Sequence, residues 1–125
     1  MKLIARSLLA LLFSISLSMP ASAQNPAVRM TKGPTNESVN FTLKNLSPAT
    51  IGIGSVEFRV YDQSTCKLLC AVKRTVNKKI TKCQTLDWEV RCNAPVPPAA
   101  GGYIYYLRVR NTSGTSLTES WLFVP

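Results

Sequence analysis

The chain has 125 residues, with 15 lysines and arginines, 6 aspartates and glutamates, 4 cysteines and no histidine. This length suits one ordinary domain, and a hydrophobic content of 46% is too high for a disordered chain. The lack of histidine excludes Ser-His-Asp and Cys-His catalytic arrangements and every His-ligated metal site.

The first residues have the organisation of a secretory signal peptide. Lys2 and Arg6 precede an apolar run over 7–17, and Ala21-Ser22-Ala23 supplies the small residues of a cleavage site. A membrane anchor is the alternative, but the run is shorter than the about 20 apolar residues that span a bilayer. We therefore expect cleavage after Ala23 and an exported domain over 24–125, periplasmic or secreted and not an integral membrane protein.

The expected mature chain is strongly basic. Loss of Lys2 and Arg6 lowers the formal net charge from +9 to +7. Such a bias favours anionic partners such as polysaccharide, phospholipid or lipopolysaccharide. Export makes nucleic acid the least expected of these partners. A role in solubility alone is the alternative explanation of the charge.

Four cysteines, Cys66, Cys70, Cys83 and Cys92, lie in the second half of the chain. An even number in a small exported domain predicts two disulfides. Their steps of 4, 13 and 9 residues match neither a zinc site nor a C-x-x-C redox motif. We therefore expect the cysteines to be structural, with no bound metal and no cofactor.

The spacing of the cysteines limits how they pair. Residues 85–91 alternate as a strand, so Cys83 and Cys92 would lie roughly 30 Å apart, whereas bridged Cα atoms lie within about 7 Å. This disfavours Cys83–Cys92 and, with it, Cys66–Cys70. We prefer the nested pairs Cys70–Cys83 and Cys66–Cys92, on antiparallel strands around a turn at 76–78. The crossed pairs, Cys66–Cys83 with Cys70–Cys92, stay open.

Apolar and polar residues alternate with a period of two through most of the chain, and no helical period is evident. Turn-forming residues separate seven segments of this kind, at 26–31, 39–44, 56–61, 70–76, 86–91, 103–110 and 116–124. Seven short strands in about 100 residues predict an all-β chain, a single immunoglobulin-like antiparallel β-sandwich. Trp88 and Trp121 are then expected to fill the core between the two sheets.

Four of these segments share a pattern with a known type of domain. They read Val-Asn-Phe-Thr-Leu-Lys-Asn at 39–45, Ser-Val-Glu-Phe-Arg-Val-Tyr at 55–61, Leu-Asp-Trp-Glu-Val at 86–90 and Gly-Tyr-Ile-Tyr-Tyr-Leu-Arg-Val at 102–109. In this order they resemble bacterial immunoglobulin-like domains of the cell-adhesion-related type, with fibronectin type III as a near relative. The resemblance covers most of 38–124 and implies a sandwich fold, not a particular function. The insert at 66–92, with its four cysteines, departs from that pattern.

Two sets of residues are candidate contact sites. Six basic residues occur between 67 and 82 with no acid among them: Lys67, Lys73, Arg74, Lys78, Lys79 and Lys82. We expect a disulfide-stapled hairpin to present them to an anionic partner; lysines that protect an exposed sheet edge are the alternative. The second candidate is Tyr106 with Arg108 and Arg110, which suit sugar stacking and carboxylate or phosphate pairing on an exposed face.

No set of residues predicts catalysis. Asp87 and Glu89 share one strand face, but glycosidase carboxylates flank a cleft about 5–10 Å apart, and Arg91 follows to neutralise them. The glycosylation motifs at Asn36, Asn40, Asn45 and Asn111 are interpreted as strand and turn chemistry, because the leader and the family likeness look bacterial.

The sequence thus predicts a small non-catalytic binding or adhesion module that contacts an anionic envelope component or polysaccharide through the basic hairpin. The alternative is a protein-interaction subunit, either an accessory of envelope assembly or an inhibitor of a secreted enzyme. A small hydrolase is a third, formal alternative.

Overall fold

A computed structural model describes residues 26–125, which form a sandwich of two antiparallel β-sheets. The strands are β1 (Ala27–Lys32), β2 (Ser38–Lys44), β3 (Ile51–Asp62), β4 (Leu68–Ile80), β5 (Thr85–Arg91), β6 (Tyr103–Asn111) and β7 (Ser116–Val124). One sheet has the order β1-β2-β5 and the other β4-β3-β6-β7. This confirms the all-β sandwich and fits an immunoglobulin-like fold. The predicted signal peptide over 1–23 and the next two residues, 24–25, lie outside the described residues.

The core lies between the sheets and follows the period-two pattern of the sequence. Alternate residues of the central strands are completely buried, with 0 to 1% of their surface exposed: Val39, Phe41, Leu43, Val56, Phe58, Val60, Tyr105, Leu107 and Val109. Trp88 packs against this core from β5, at the margin of its sheet, and is half-buried. Residues 26–125 contain no helix with the length and apolar character needed to cross a bilayer.

The basic hairpin predicted around 76–78 is wrong, because β4 is a single strand of 13 residues at the edge of its sheet. Asn77 does have the positive φ of a turn residue, at 47°. That conformation forms a β-bulge instead of a turn, since Ser55 of β3 pairs with Thr75 and Ile53 pairs with Lys78. Gly54 opposes the bulge, and a Cβ there would lie 2.5 Å from the carbonyl oxygen of Asn111.

One disulfide joins the sheets, and the preferred nested pairing is wrong. Cys70 of β4 bonds to Cys92, just after β5, with Cα atoms 6.3 Å apart. Cys66 and Cys83 are exposed and free. They flank the two ends of β4, and a strand of this length is about 40 Å long at 3.3 Å per residue, so the companion pair of the crossed arrangement does not form. The prediction of two disulfides is corrected to one.

The placement of Trp121 in the core is also wrong. In β7, Arg110 pairs with Ser116 and Val109 with Thr118, so Leu117 is an extra residue in that strand. One extra residue moves every later side chain to the other face of the sheet. Leu122 and Val124 therefore pack against the core, whereas Trp121 is 52% and Phe123 59% exposed.

Candidate functional site

The six basic residues predicted as one contact site do not lie together. Lys67 precedes β4 at one end of the sandwich, and Lys82 follows β4 at the other. Lys73 lies in mid-strand opposite Glu57. Arg74 faces the edge of the other sheet, where its guanidinium donates hydrogen bonds to the Arg91 carbonyl at 3.0 Å and to Asn93 Oδ1 at 2.6 Å. Arg74 therefore joins the two sheets beside the disulfide and is not a free anion-binding group.

Four lysines do come together at one end of the sandwich, which we call the cationic end: Lys44, Lys78, Lys79 and Lys82. All four are exposed. Lys44 ends β2 and pairs with Thr85 at the start of β5, and Lys78 and Lys79 pair with Ile53 and Gly52 near the start of β3. Three connections meet here, at 45–50, 81–84 and 112–115. Sequence reasoning missed Lys44 because it lies 34 residues before Lys78.

The cationic end contains no carboxylate. The three connections and the strand residues next to them, over 43–55, 75–86 and 109–118, include no aspartate or glutamate. Within residues 26–125 the ion pairs involve arginines only: Arg59 and Arg110 with Glu57, Arg91 with Glu89, and Arg108 with Glu119. The four lysines therefore form no ion pair within residues 26–125, and their ammonium groups stay available to an incoming anion.

Asn45 holds the loop of the cationic end in place. Its side chain is fully buried and donates hydrogen bonds to the carbonyls of Ala49 at 2.7 Å and Ile80 at 2.9 Å. The amide oxygen accepts a bond of 2.8 Å from the Ser47 N–H. The Asn45 backbone also bonds to Gln84 and Cys83. The 45–50 loop and the 81–84 turn therefore form one fixed unit, with Leu46 57% exposed beside the lysines.

The second candidate surface lies on the outer face of the four-stranded sheet. Cross-strand pairing places Tyr61, Ile104 and Phe123 in one row, Arg59, Tyr106 and Trp121 in the next, and Glu57, Arg108 and Glu119 in the third. The face therefore changes from aromatic to charged along the strands. We call the five apolar and aromatic residues of the first two rows the aromatic platform: Tyr61, Ile104, Tyr106, Trp121 and Phe123.

Tyr106, predicted as a stacking residue, is the base of this platform. Only 4% of it is exposed. The Trp121 ring lies against it, with centroids 4.6 Å apart. The guanidinium carbons of Arg59 and Arg108 lie 5.4 and 5.9 Å from the centre of the Tyr106 ring, within the range of cation–π attraction. Trp121 and Phe123 are the accessible rings, and the bulge at Leu117 that exposes them gives no clear signal in the sequence.

Ion pairs order the charged row of the same face. Arg59 and Arg110 donate to the two oxygens of Glu57, at 2.5 and 3.2 Å, and Arg108 donates to Glu119 at 3.0 Å. Partial burial acts to raise the pKa of Glu57, but the hydrogen bonds from Arg59 and Arg110 outweigh it, so the pKa lies below its ordinary value. Arg108 and Arg110, the other two predicted residues, are thus held in ion pairs.

The two carboxylates considered for catalysis have separate partners. Asp87 accepts a hydrogen bond of 2.7 Å from the Thr42 hydroxyl, and Glu89 pairs with Arg91 at 2.8 Å. Residues 26–125 hold no group of three or more Cys, Asp or Glu side chains placed to bind a metal ion.

No protein-family model matches the chain, and no curated protein matches it. Similar solved structures share the fold at low identity. β-Glucuronidase 2 of Bacteroides uniformis has a TM-score of 0.56 and 16% identity over 83% of this chain. The exo-chitosanase CsxA of Amycolatopsis orientalis has a TM-score of 0.57 and 10% identity over 81%. The matches cover only 13% and 11% of those two enzymes.

A third similar structure has nearly the size of this chain. It is the Northeast Structural Genomics Consortium target SoR45, with a TM-score of 0.51 and 14% identity, and the match covers 82% of this chain and 89% of that one. Identities this low show a common fold alone.

Proposed function

We propose that the protein is a small exported binding module without catalytic activity, which contacts an anionic envelope component or polysaccharide through the cationic end. The observation that carries the proposal is the grouping of Lys44, Lys78, Lys79 and Lys82 in a region without carboxylates. This site replaces the predicted hairpin but keeps three of its residues.

The lysines suit contact with a polymer or a surface better than capture of a small ion. They are spread over strand ends and turns, and each lysine is an exposed residue. At physiological salt the Debye length is about 8 Å, so such charges act only on groups that touch them. A polyanion offers many charges at once, and its release of counterions strengthens the contact.

The architecture supports a non-catalytic role. The similar glycoside hydrolases match this sandwich over a small fraction of their length, and Asp87 and Glu89 have partners of their own. We propose further that the sandwich is an immunoglobulin-like domain of the adhesion-related type, as the sequence pattern suggests. We also propose that the protein is exported to the periplasm or the medium. Function in such folds depends on the surface that each one carries.

Charge reversal at the cationic end tests the proposal. We expect Lys78→Glu, Lys79→Glu and Lys82→Glu together to lower the salt concentration that elutes the protein from heparin, because a compact positive surface becomes negative. The matched control is Lys32→Glu, Lys67→Glu and Lys73→Glu, which changes the net charge equally at exposed positions elsewhere. This control should stay bound at salt concentrations that elute the first variant.

Two results would contradict the proposal. Equal loss of retention in both variants would show that net charge acts without a site. Salt-insensitive association of the wild-type protein with one envelope protein would favour a protein-interaction subunit instead.

A further inference from the structure

The aromatic platform has no role in the proposed contact at the cationic end. Trp121 and Phe123 expose 52% and 59% of their surfaces, and no element of residues 26–125 covers them. With half-buried Tyr61 and Ile104, they form a continuous apolar area on a rigid sheet rather than on a loop. A group of neighbouring exposed apolar side chains on a sheet face is a candidate contact site.

Three rings of this platform, those of Tyr61, Tyr106 and Trp121, contact one another. Tyr61 and Trp121 have centroids 6.3 Å apart and planes 29° from parallel. Tyr106 supports Trp121 from below, and Arg59 donates a hydrogen bond of 3.2 Å to the Tyr61 hydroxyl. A ligand that stacks on these rings therefore does not have to order them first.

The groups beside the rings indicate the chemistry of the ligand. Next to Trp121 lie the ion pairs Arg108–Glu119 and Arg59–Glu57, which are partly exposed. An apolar partner surface would remove water from these charges without replacing its hydrogen bonds. A sugar hydroxyl accepts from a guanidinium and donates to a carboxylate, so a saccharide satisfies both members of each pair.

The net charge of the outer face favours acidic saccharides over neutral ones. The outer face carries Arg59, Arg108 and Arg110 against Glu57 and Glu119, so one positive charge remains after pairing. A carboxylate on the sugar complements this excess, because guanidinium and carboxylate groups form strong charge-assisted bonds.

We propose that the aromatic platform and the adjoining ion pairs form a second binding site, which takes an acidic saccharide by stacking a sugar ring on Trp121. The electron-rich face of the indole attracts the weakly positive C–H groups of a pyranose, while Arg108 and Glu119 bind its hydroxyl and carboxylate groups. This site does not depend on the cationic end.

Calorimetric titration of the oxidised protein with oligogalacturonate tests this site. The titration is run in about 0.5 M salt, where the Debye length is well below 8 Å and diffuse attraction to lysines is screened. We expect saturable binding, with a blue shift or quenching of tryptophan fluorescence, and weaker binding of uncharged maltohexaose. Trp121→Ala should weaken binding about tenfold or more, with partial recovery in Trp121→Phe.

Two control variants separate this site from the rest of the molecule. The first control is Trp88→Phe, because Trp88 packs against the core from the opposite sheet. This variant should bind oligogalacturonate as tightly as the wild-type protein. The triple lysine-to-glutamate variant of the cationic end should also bind oligogalacturonate at high salt, whether or not the proposed function is correct. Matching circular dichroism spectra would show that the Trp121 variants are folded.

Several results would overturn the proposal. The first is that the protein binds neither oligogalacturonate nor maltohexaose. The second is that it binds both with equal affinity. The third is that Trp121→Ala binds oligogalacturonate as tightly as the wild-type protein. Capture of an envelope protein through Trp121, with no saccharide bound, would assign the platform to a protein partner and overturn it as well.

Discussion

Removal of the Cys70–Cys92 disulfide is expected to lower the free energy of unfolding by about 3 kcal/mol in Cys70→Ala/Cys92→Ala. The bond closes a loop across 22 positions of sequence, so its loss releases that loop in the unfolded chain. The β4 and β5 edges also lose their covalent link and keep only contacts such as the two Arg74 hydrogen bonds. Such a loss is a large part of the stability of a small domain.

Urea denaturation of the oxidised proteins measures this effect. Cys66→Ser/Cys83→Ser is the matched control, because both of these cysteines are exposed and free, and its unfolding free energy should stay within about 0.5 kcal/mol of wild type. A larger loss in this control than in Cys70→Ala/Cys92→Ala would contradict the pairing.

Asn45→Ala is expected to lower the free energy of unfolding by about 3 kcal/mol, because three backbone groups, two of them in buried hydrogen bonds, lose their partners. These groups are the carbonyls of Ala49 and Ile80 and the N–H of Ser47. Asn45→Asp should be at least as unfavourable, since a carboxylate faces the two carbonyls in place of a donor.

Denaturation of Asn45→Ala is compared with that of Asn40→Ala. Asn40 is an exposed residue of β2, the strand that precedes Asn45, and its truncation should cost less than about 0.5 kcal/mol. Equal stability of the two variants would show that Asn45 does not hold the cationic end together. Loss of heparin retention in a folded Asn45→Ala protein would connect the loop to the contact surface.

Much of the fold could be predicted from period-two alternation. Phe41, Phe58 and Leu107 lie in runs whose alternate residues are all apolar, and each side chain is buried between the sheets. These positions are predictable because a half-buried strand has only two faces. Local pattern and side-chain position then agree without any knowledge of which strands pair.

The errors occur where pairing between distant strands decides the outcome. A positive φ at Asn77 suits a turn or a bulge equally well, and its pairing with β3 produces the bulge. The extra residue at Leu117 is defined only by its position against β6. This register leaves Trp121 exposed on the outer face of the sheet. The sequence alone does not reveal that exposure, because an aromatic residue in an alternating run could lie on either face.

The cysteines and lysines show the same limit. The nested pairing assumed two short strands around a turn, whereas one long strand separates Cys66 from Cys83. The basic residues between 67 and 82 are close in sequence and so predict one site, yet a strand spreads them at about 3.3 Å per residue. Lys44 joins Lys78 only through the three-dimensional fold.

The most direct test of the cationic end is a nuclear magnetic resonance titration of labelled protein with inorganic polyphosphate, a polyanion without sugar rings. We expect the largest amide shift changes at 44–50 and 78–84, and we expect them to diminish as salt is raised. Changes centred on 33–37, 63–67 and 92–102, at the opposite end of the sandwich, would contradict this expectation.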